Sequence, residues 1–172
     1  MAIRSILTFP EPVLRKKAKK VTTFDDELIQ LAQDMGETMY AAPGVGLAAN
    51  QIGVLLQIVV VDISESEEEK KFISLINPVI SEGEGYVTDE EGCLSVPGYT
   101  ADVTRAEWIT VKALNGEGEP IELTAEGLPA IAIQHEIDHL DGTLFIDRIS
   151  RLKRELIKRK IKKALEAQEY AL

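Results

Sequence analysis

The chain has one cysteine and two histidines in 172 residues, and each scarcity narrows what it can be. A single thiol, Cys93, forms no internal disulfide, which suits a reducing compartment and leaves the sulfur free for other chemistry. No apolar run approaches the roughly 20 residues needed to cross a bilayer. The opening segment, Met1 to Pro10, lacks the apolar stretch and small-residue cleavage site of a secretory signal. The expected location is therefore cytoplasmic, with no membrane partner. Internal repeats, low-complexity linkers and plausible domain boundaries are also missing, and the length suffices for one core. A single domain over residues 1–172 is expected.

Positive charge is scarce except at one end. The net charge is −10, yet residues 148–172 hold nine Lys or Arg against three Glu, so this segment is +6 and residues 1–147 carry −16. An acidic body repels nucleic acid, which argues against a DNA-binding role, whereas the basic tail can attract a polyanion. Ile149, Leu152, Leu156, Ile157, Ile161, Ala164 and Leu165 supply apolar positions at helical spacing in that tail. They predict a helix from about Ser150 towards Gln168, with one face packed and the other basic.

Elsewhere the periodicity alternates between helix and strand. A capping-box pattern from Thr23 to Asp26, followed by Leu28, Leu31, Met35 and Met39, predicts a first helix ending near Ala41. Leu55–Val61 and Ile73–Ile76 are β-branched runs separated by an acidic loop at 64–69. Trp108–Leu114 and Ile121–Leu123 flank Asn115-Gly116, a hairpin signal. A second helix is expected after Thr124, with Pro129 in its early turns and a stop at Asp141-Gly142. The fold class is α+β: mostly antiparallel strands around a central helix, with N- and C-terminal helices outside.

The central helix carries the chemistry. In Gln134-His135-Glu136-Ile137-Asp138-His139 both histidines of the chain stand at i and i+4, one above the other, so that both rings can reach one divalent cation with Glu136 beside it. A catalytic site normally needs three protein ligands and an open position. There is no third histidine, and the next downstream glutamate, Glu155, lies in the basic tail. Cys93, in Glu91-Gly92-Cys93-Leu94-Ser95, is the better candidate; a thiolate with two neutral imidazoles leaves a divalent centre at +1, still able to acidify a water molecule. Gly44-Val45-Gly46-Leu47-Ala48-Ala49-Asn50-Gln51 imitates a dinucleotide fingerprint, but it follows a helix and precedes a strand, the reverse of that motif's context. Leu128, Ile131 and Ala132 share the face of His135 and, with Val45, suit an apolar pocket.

Taken together, Gly44–Gln51, Glu91–Ser95 and Gln134–His139 resemble, in order and spacing, the three signature motifs of peptide deformylases, and the likeness extends over nearly the whole chain, including the long C-terminal helix of many bacterial members. The resemblance implies metal-dependent removal of the formyl group from the N-terminal formylmethionine of nascent polypeptides. It implies Cys93, His135 and His139 as metal ligands, Glu136 as general acid/base, and Gln51 with the backbone N–H of Leu94 as donors to the formyl oxygen. Gly44, Val45, Gly46, Leu128, Ile131 and Ala132 would line the methionine and peptide site. The ligand set accepts Zn²⁺, Fe²⁺, Ni²⁺ or Co²⁺; the resemblance implies ferrous iron in the cell and a ribosome contact for the C-terminal helix. One departure is visible: Pro97-Gly98-Tyr99-Thr100 lacks the basic residue that many relatives use to hold the substrate backbone. Two other readings compete, a metalloendopeptidase, which normally draws its third ligand from His, Glu or Asp, and a structural metal module, which needs a fourth protein ligand.

Overall fold

The computed structural model describes residues 2–170. Seven strands and three α-helices follow in the order α1 (Asp26–Ala41), β1 (Gly46–Ala48), β2 (Ile58–Asp62), β3 (Phe72–Glu84), β4 (Val87–Cys93), β5 (Val96–Arg105), β6 (Trp108–Leu114), β7 (Pro120–Glu126), α2 (Leu128–Leu140) and α3 (Arg151–Tyr170), with short 3-10 turns between some of them. A five-stranded sheet runs β1-β2-β3-β6-β7 and a separate ribbon pairs β4 with β5. Every pairing between these strands is antiparallel. The expected α+β arrangement is the observed one.

Strand β2 explains why the sheet is covered on both sides. Its Ile58-Val59-Val60-Val61 run is wholly buried, and successive side chains of a strand point to opposite faces. Val59 and Val61 pack with Ala130, Ala132, Ile133 and Leu140 of α2. Ile58 and Val60 pack with Leu28, Met35 and Met39 of α1. Helix α2 is thus pressed against one face of the sheet and α1 against the other. A third cluster, built on Val96, Val103 and Phe145, takes in Ile149, Ile157 and Ile161 and so anchors the base of α3.

Several boundaries differ from the sequence reading for local reasons. The carboxylate of Asp25, rather than Thr23, caps α1 by accepting from the Leu28 N–H at 3.0 Å. Helix α2 starts later than Thr124 because β7 runs to Glu126 and is held in register with Trp108; Gly127 then turns the chain at φ +67°. The β6–β7 turn places its left-handed residue at Gly118, while the Asn115 side chain accepts from the N–H groups of Glu117 and Glu119. Strands β4 and β5 and the second half of β3 were not foreseen. Midway along β3 the pairing slips at Asn77, whose side-chain amide both accepts from and donates to the backbone of Val21.

The stop of α2 falls where expected. Gly142 adopts φ +77°, and a Cβ there would lie 2.5 Å from the Arg15 carbonyl oxygen, so the position has room only for glycine. On α3 the predicted apolar stripe is only partly used: Ile157 and Ile161 dock, whereas Leu152, Leu156 and Leu165 remain exposed. No described helix is long and apolar enough to cross a membrane.

Candidate metal centre

Two elements bring the three candidate ligands together. Helix α2 stacks His135 and His139 one turn apart, and β4 ends at Cys93, in a tight two-residue turn closed by the pairing of Cys93 with Val96. The Nε2 atoms of His135 and His139 are 3.3 Å apart, and Cys93 Sγ lies 3.3 Å from His139 Nε2. One ligand atom from each residue falls within 4.8 Å of the others. Tetrahedral bonds of about 2.1 Å to nitrogen and about 2.3 Å to sulfur require separations of about 3.3–3.6 Å. The donor set therefore fits one divalent ion.

The imidazole of His135 is aimed by a carboxylate. Its Nδ1 lies 3.0 Å from Glu91 Oε1; a carboxylate only accepts, so Nδ1 carries the hydrogen and Nε2 is left for the ion. Glu91 is in turn clamped by Arg105, whose Nε and one terminal nitrogen donate at 2.6 and 2.9 Å. Burial disfavours the Glu91 carboxylate, but hydrogen bonds from His135 and Arg105 outweigh it and lower the pKa. Without a metal, burial also pushes His135 down, and the nearby Cys93 and Glu91 more than reverse this, raising it to about 10. Burial holds His139 well below its ordinary range, as the neutral form that ligation needs.

Glu136 points into the same place. It is buried, Oε2 has no hydrogen-bond partner in the protein, and burial raises its pKa to about 7 in the metal-free chain. A divalent cation beside it pulls that value back down. Gly46 passes so close that a Cβ there would lie 2.8 Å from Glu136 Cγ, which accounts for a glycine on this strand. Gln51 has its orientation fixed: Oε1 accepts the Ala48 N–H at 2.9 Å, which turns the amide nitrogen towards Ser95 Oγ at 3.0 Å and Cys93 Sγ at 3.7 Å. The N–H of Leu7 donates to the Gln51 carbonyl and that of Phe9 to the Ser95 carbonyl. This N-terminal strap ties the glutamine segment to the cysteine segment.

A cleft of about 1240 Å³ opens over these groups and is lined by Gln51, Cys93, Leu94, His135 and Glu136. Gly44, Val45, Gly46, Leu128, Ile131 and Ala132 line it as well. Within that set Ile131 and Ala132 are buried, but Val45 and Leu128 are 45% and 60% exposed, so the latter two form lips at the mouth. Around Thr100 the lining holds no lysine or arginine, and its charged members besides the centre are Asp89, Glu90, Glu91, Glu107 and Glu126. The sequence reading missed Glu91 as the partner of His135, and Arg105 and Asp138 in the row behind it. Their one available signal was Asp138, which stands three residues after His135 on the same helical face.

A Cys-His-His donor set with a buried glutamate at the floor of an apolar cleft defines a metal-dependent hydrolase centre. The family model described as polypeptide deformylase matches residues 3–155. A peptide deformylase of Syntrophobacter fumaroxidans is 51% identical over 166 residues, covering 96% of this chain and 98% of the relative. The crystal structure of a peptide deformylase from Legionella pneumophila superposes with TM-score 0.88 at 52% identity, covering 98% of each chain. That of Ehrlichia chaffeensis, in complex with actinonin, gives TM-score 0.88 at 38% identity over 95% of this chain and 98% of its own. The chain belongs to the peptide deformylase family, hydrolases that remove the formyl group from the N-terminal formylmethionine of nascent peptides.

Proposed function

We propose that Cys93, His135 and His139 hold a single divalent ion, that Glu136 is the general acid/base, and that Gln51 and the Leu94 N–H polarise the formyl oxygen. The observation that carries this reading is the convergence of the three ligand atoms beside a buried carboxylate with an unpartnered oxygen. When bound, the ion supplies an acidified water and positive charge next to the carbonyl. Glu136 would accept the proton that the attacking water gives up as its oxygen bonds to the formyl carbon, and would hand it to the amine nitrogen as the C–N bond breaks, because an amine leaves far more readily once protonated. Negative charge growing on the formyl oxygen meets the Gln51 amide N–H, already turned inward because Ala48 occupies the other end of the side chain. Fixed donors of this kind are typically worth about 2.7–4 kcal/mol in the transition state.

Gly44, Val45 and Gly46 on one side of the cleft and Leu128, Ile131 and Ala132 on the other would receive the methionine side chain and the peptide that follows. The chemistry of the donors suits Fe²⁺, which we assign as the cellular ion, with Zn²⁺, Ni²⁺ and Co²⁺ accommodated by the same three ligands. We assign the activity to the cytoplasm, and the exposed basic face of α3 to docking on ribosomal RNA. An acidic body gains no obvious solubility from a concentrated cationic helix, whereas a polyanionic partner uses it.

The test is release of formate from formyl-Met-Ala-Ser, with the unformylated peptide as control and actinonin, the compound held by the Ehrlichia chaffeensis relative, as inhibitor. Formate release that actinonin blocks, with the control uncleaved, is expected. Cleavage of the unformylated peptide at a comparable rate would favour an endopeptidase.

A further inference from the structure

A row of alternating charges joins the root of α3 to the metal centre, and none of the steps above uses it. Arg148 donates to Asp138 twice, from Nε at 3.1 Å and from a terminal nitrogen at 2.7 Å. Asp138 also accepts from Arg105 at 2.9 Å, and the remaining donors of Arg105 grip Glu91, which holds His135 Nδ1. Three of the four charged members are deeply buried: the side chains of Arg105, Glu91 and Asp138 are 5%, 6% and 13% exposed, against 50% for Arg148. Arg148 stands three residues before the first residue of α3, and its neighbour Ile149 packs into the cluster that anchors that helix.

We propose that Arg148 is a positioning residue for the metal centre, acting through Asp138, Arg105 and Glu91 on the orientation of His135. The proposal rests on the reading of Cys93, His135 and His139 as metal ligands given above. With Arg148 in place, two cations face two carboxylates. Removing it leaves Arg105 as the sole guanidinium for both carboxylates in a poorly hydrated region, where an uncompensated charge is costly. The guanidinium is then drawn towards Asp138, its two-point grip on Glu91 loosens, and the hydrogen bond that fixes the His135 ring weakens. Partners of this outer kind influence a centre because they set the direction and basicity of a ligand without touching the ion. The same row makes the base of the docking helix and the ligand helix a single mechanical unit.

The experiment compares full-length wild type with Arg148→Met, which keeps the length of the side chain and removes its donors. Zn²⁺ affinity is measured by chelator competition and the ligand field by the visible spectrum of the Co²⁺ form. Arg148→Met is expected to weaken Zn²⁺ binding about 3- to 10-fold, at or below the low end of direct outer-shell effects, and to shift the Co²⁺ bands. In a Glu91→Gln background, or in Asp138→Asn should that protein fold poorly, the same change is expected to cost less than about twofold, because the row is already cut. Unchanged affinity and spectrum in Arg148→Met overturn the proposal, as does an equal loss in both backgrounds, which marks a general structural role. Wild type that binds no stoichiometric ion, or Cys93→Ala that binds Zn²⁺ as tightly, defeats the ligand assignment first and the relay with it.

Discussion

Helices α2 and α3 are adjacent along the chain and opposite in kind. Of the 13 residues of α2, nine are buried, and its polar members each have a fixed geometric task. The 20-residue α3 buries none of its described residues and touches the body through Ile157 and Ile161. In α2 a charge is expensive because the helix is buried, so polar side chains there need neighbours or a cation to match them. In α3 a charge costs almost nothing, and the basic pattern there is available for the docking role proposed above. The proposed catalytic groups and the proposed docking face therefore sit on separate helices, and the Arg148–Asp138 ion pair ties the segment just before α3 to α2.

The largest effect that would sharpen this contrast is Glu136→Gln. It is expected to keep the metal and lose between about 10² and 10⁴ in kcat, measured by formate release on protein of known metal content. Near-normal turnover with full metal would remove the assigned role. On the other helix, neutralising the exposed Lys153, Arg159, Lys160 and Lys163 together with glutamine leaves Ile157 and Ile161 packed. Turnover of a short formylated peptide is expected to change less than about twofold, whereas ribosome co-sedimentation should weaken and its salt dependence flatten, by about 0.7–0.9 in logarithmic slope for each phosphate that is no longer neutralised. Equal co-sedimentation of the two proteins would break the docking assignment.

A smaller effect concerns the strap at the N-terminus. Hydrogen bonds from the Gln30 amide and the Ala2 N–H, aided by Arg4 and opposed by burial, lower the pKa of Asp34 to about 2 from 3.8. A depressed folded-state value means that this stability is fully present above the unfolded value and is lost as pH falls through about 2. Asp34→Asn is expected to flatten that acid limb between about pH 4 and 2 in equilibrium unfolding. An unaltered limb would assign the acid sensitivity to other carboxylates.

How much was legible beforehand follows the same divide between local and distant causes. Helix α2 and its stop were readable because Pro129, the i/i+4 histidines and Gly142 act on neighbouring residues. The β6–β7 hairpin was readable from Asn115, although the left-handed residue proved to be Gly118. Strands β4 and β5 were not, since Val87–Cys93 and Val96–Arg105 carry acids, glycines and a proline without clean alternation and are strands because they pair with each other. Glu91 and Arg105, 14 positions apart, and Arg105 and Asp138, 33 apart, read as ordinary surface charges until the fold buries them together. Only side chains with scarce chemistry, one thiol and two imidazoles, were distinctive enough to be matched across such distances.

The central claim is that the ligand helix and the end of β4 share one ion, and X-ray absorption at the metal edge of anaerobically purified protein tests it most directly. The expected result is one ion per chain, of iron in protein taken from cells, with one sulfur scatterer at about 2.3 Å and two imidazole nitrogens at about 2.0–2.1 Å. A coordination shell without sulfur, or one unchanged in Cys93→Ala, would contradict it.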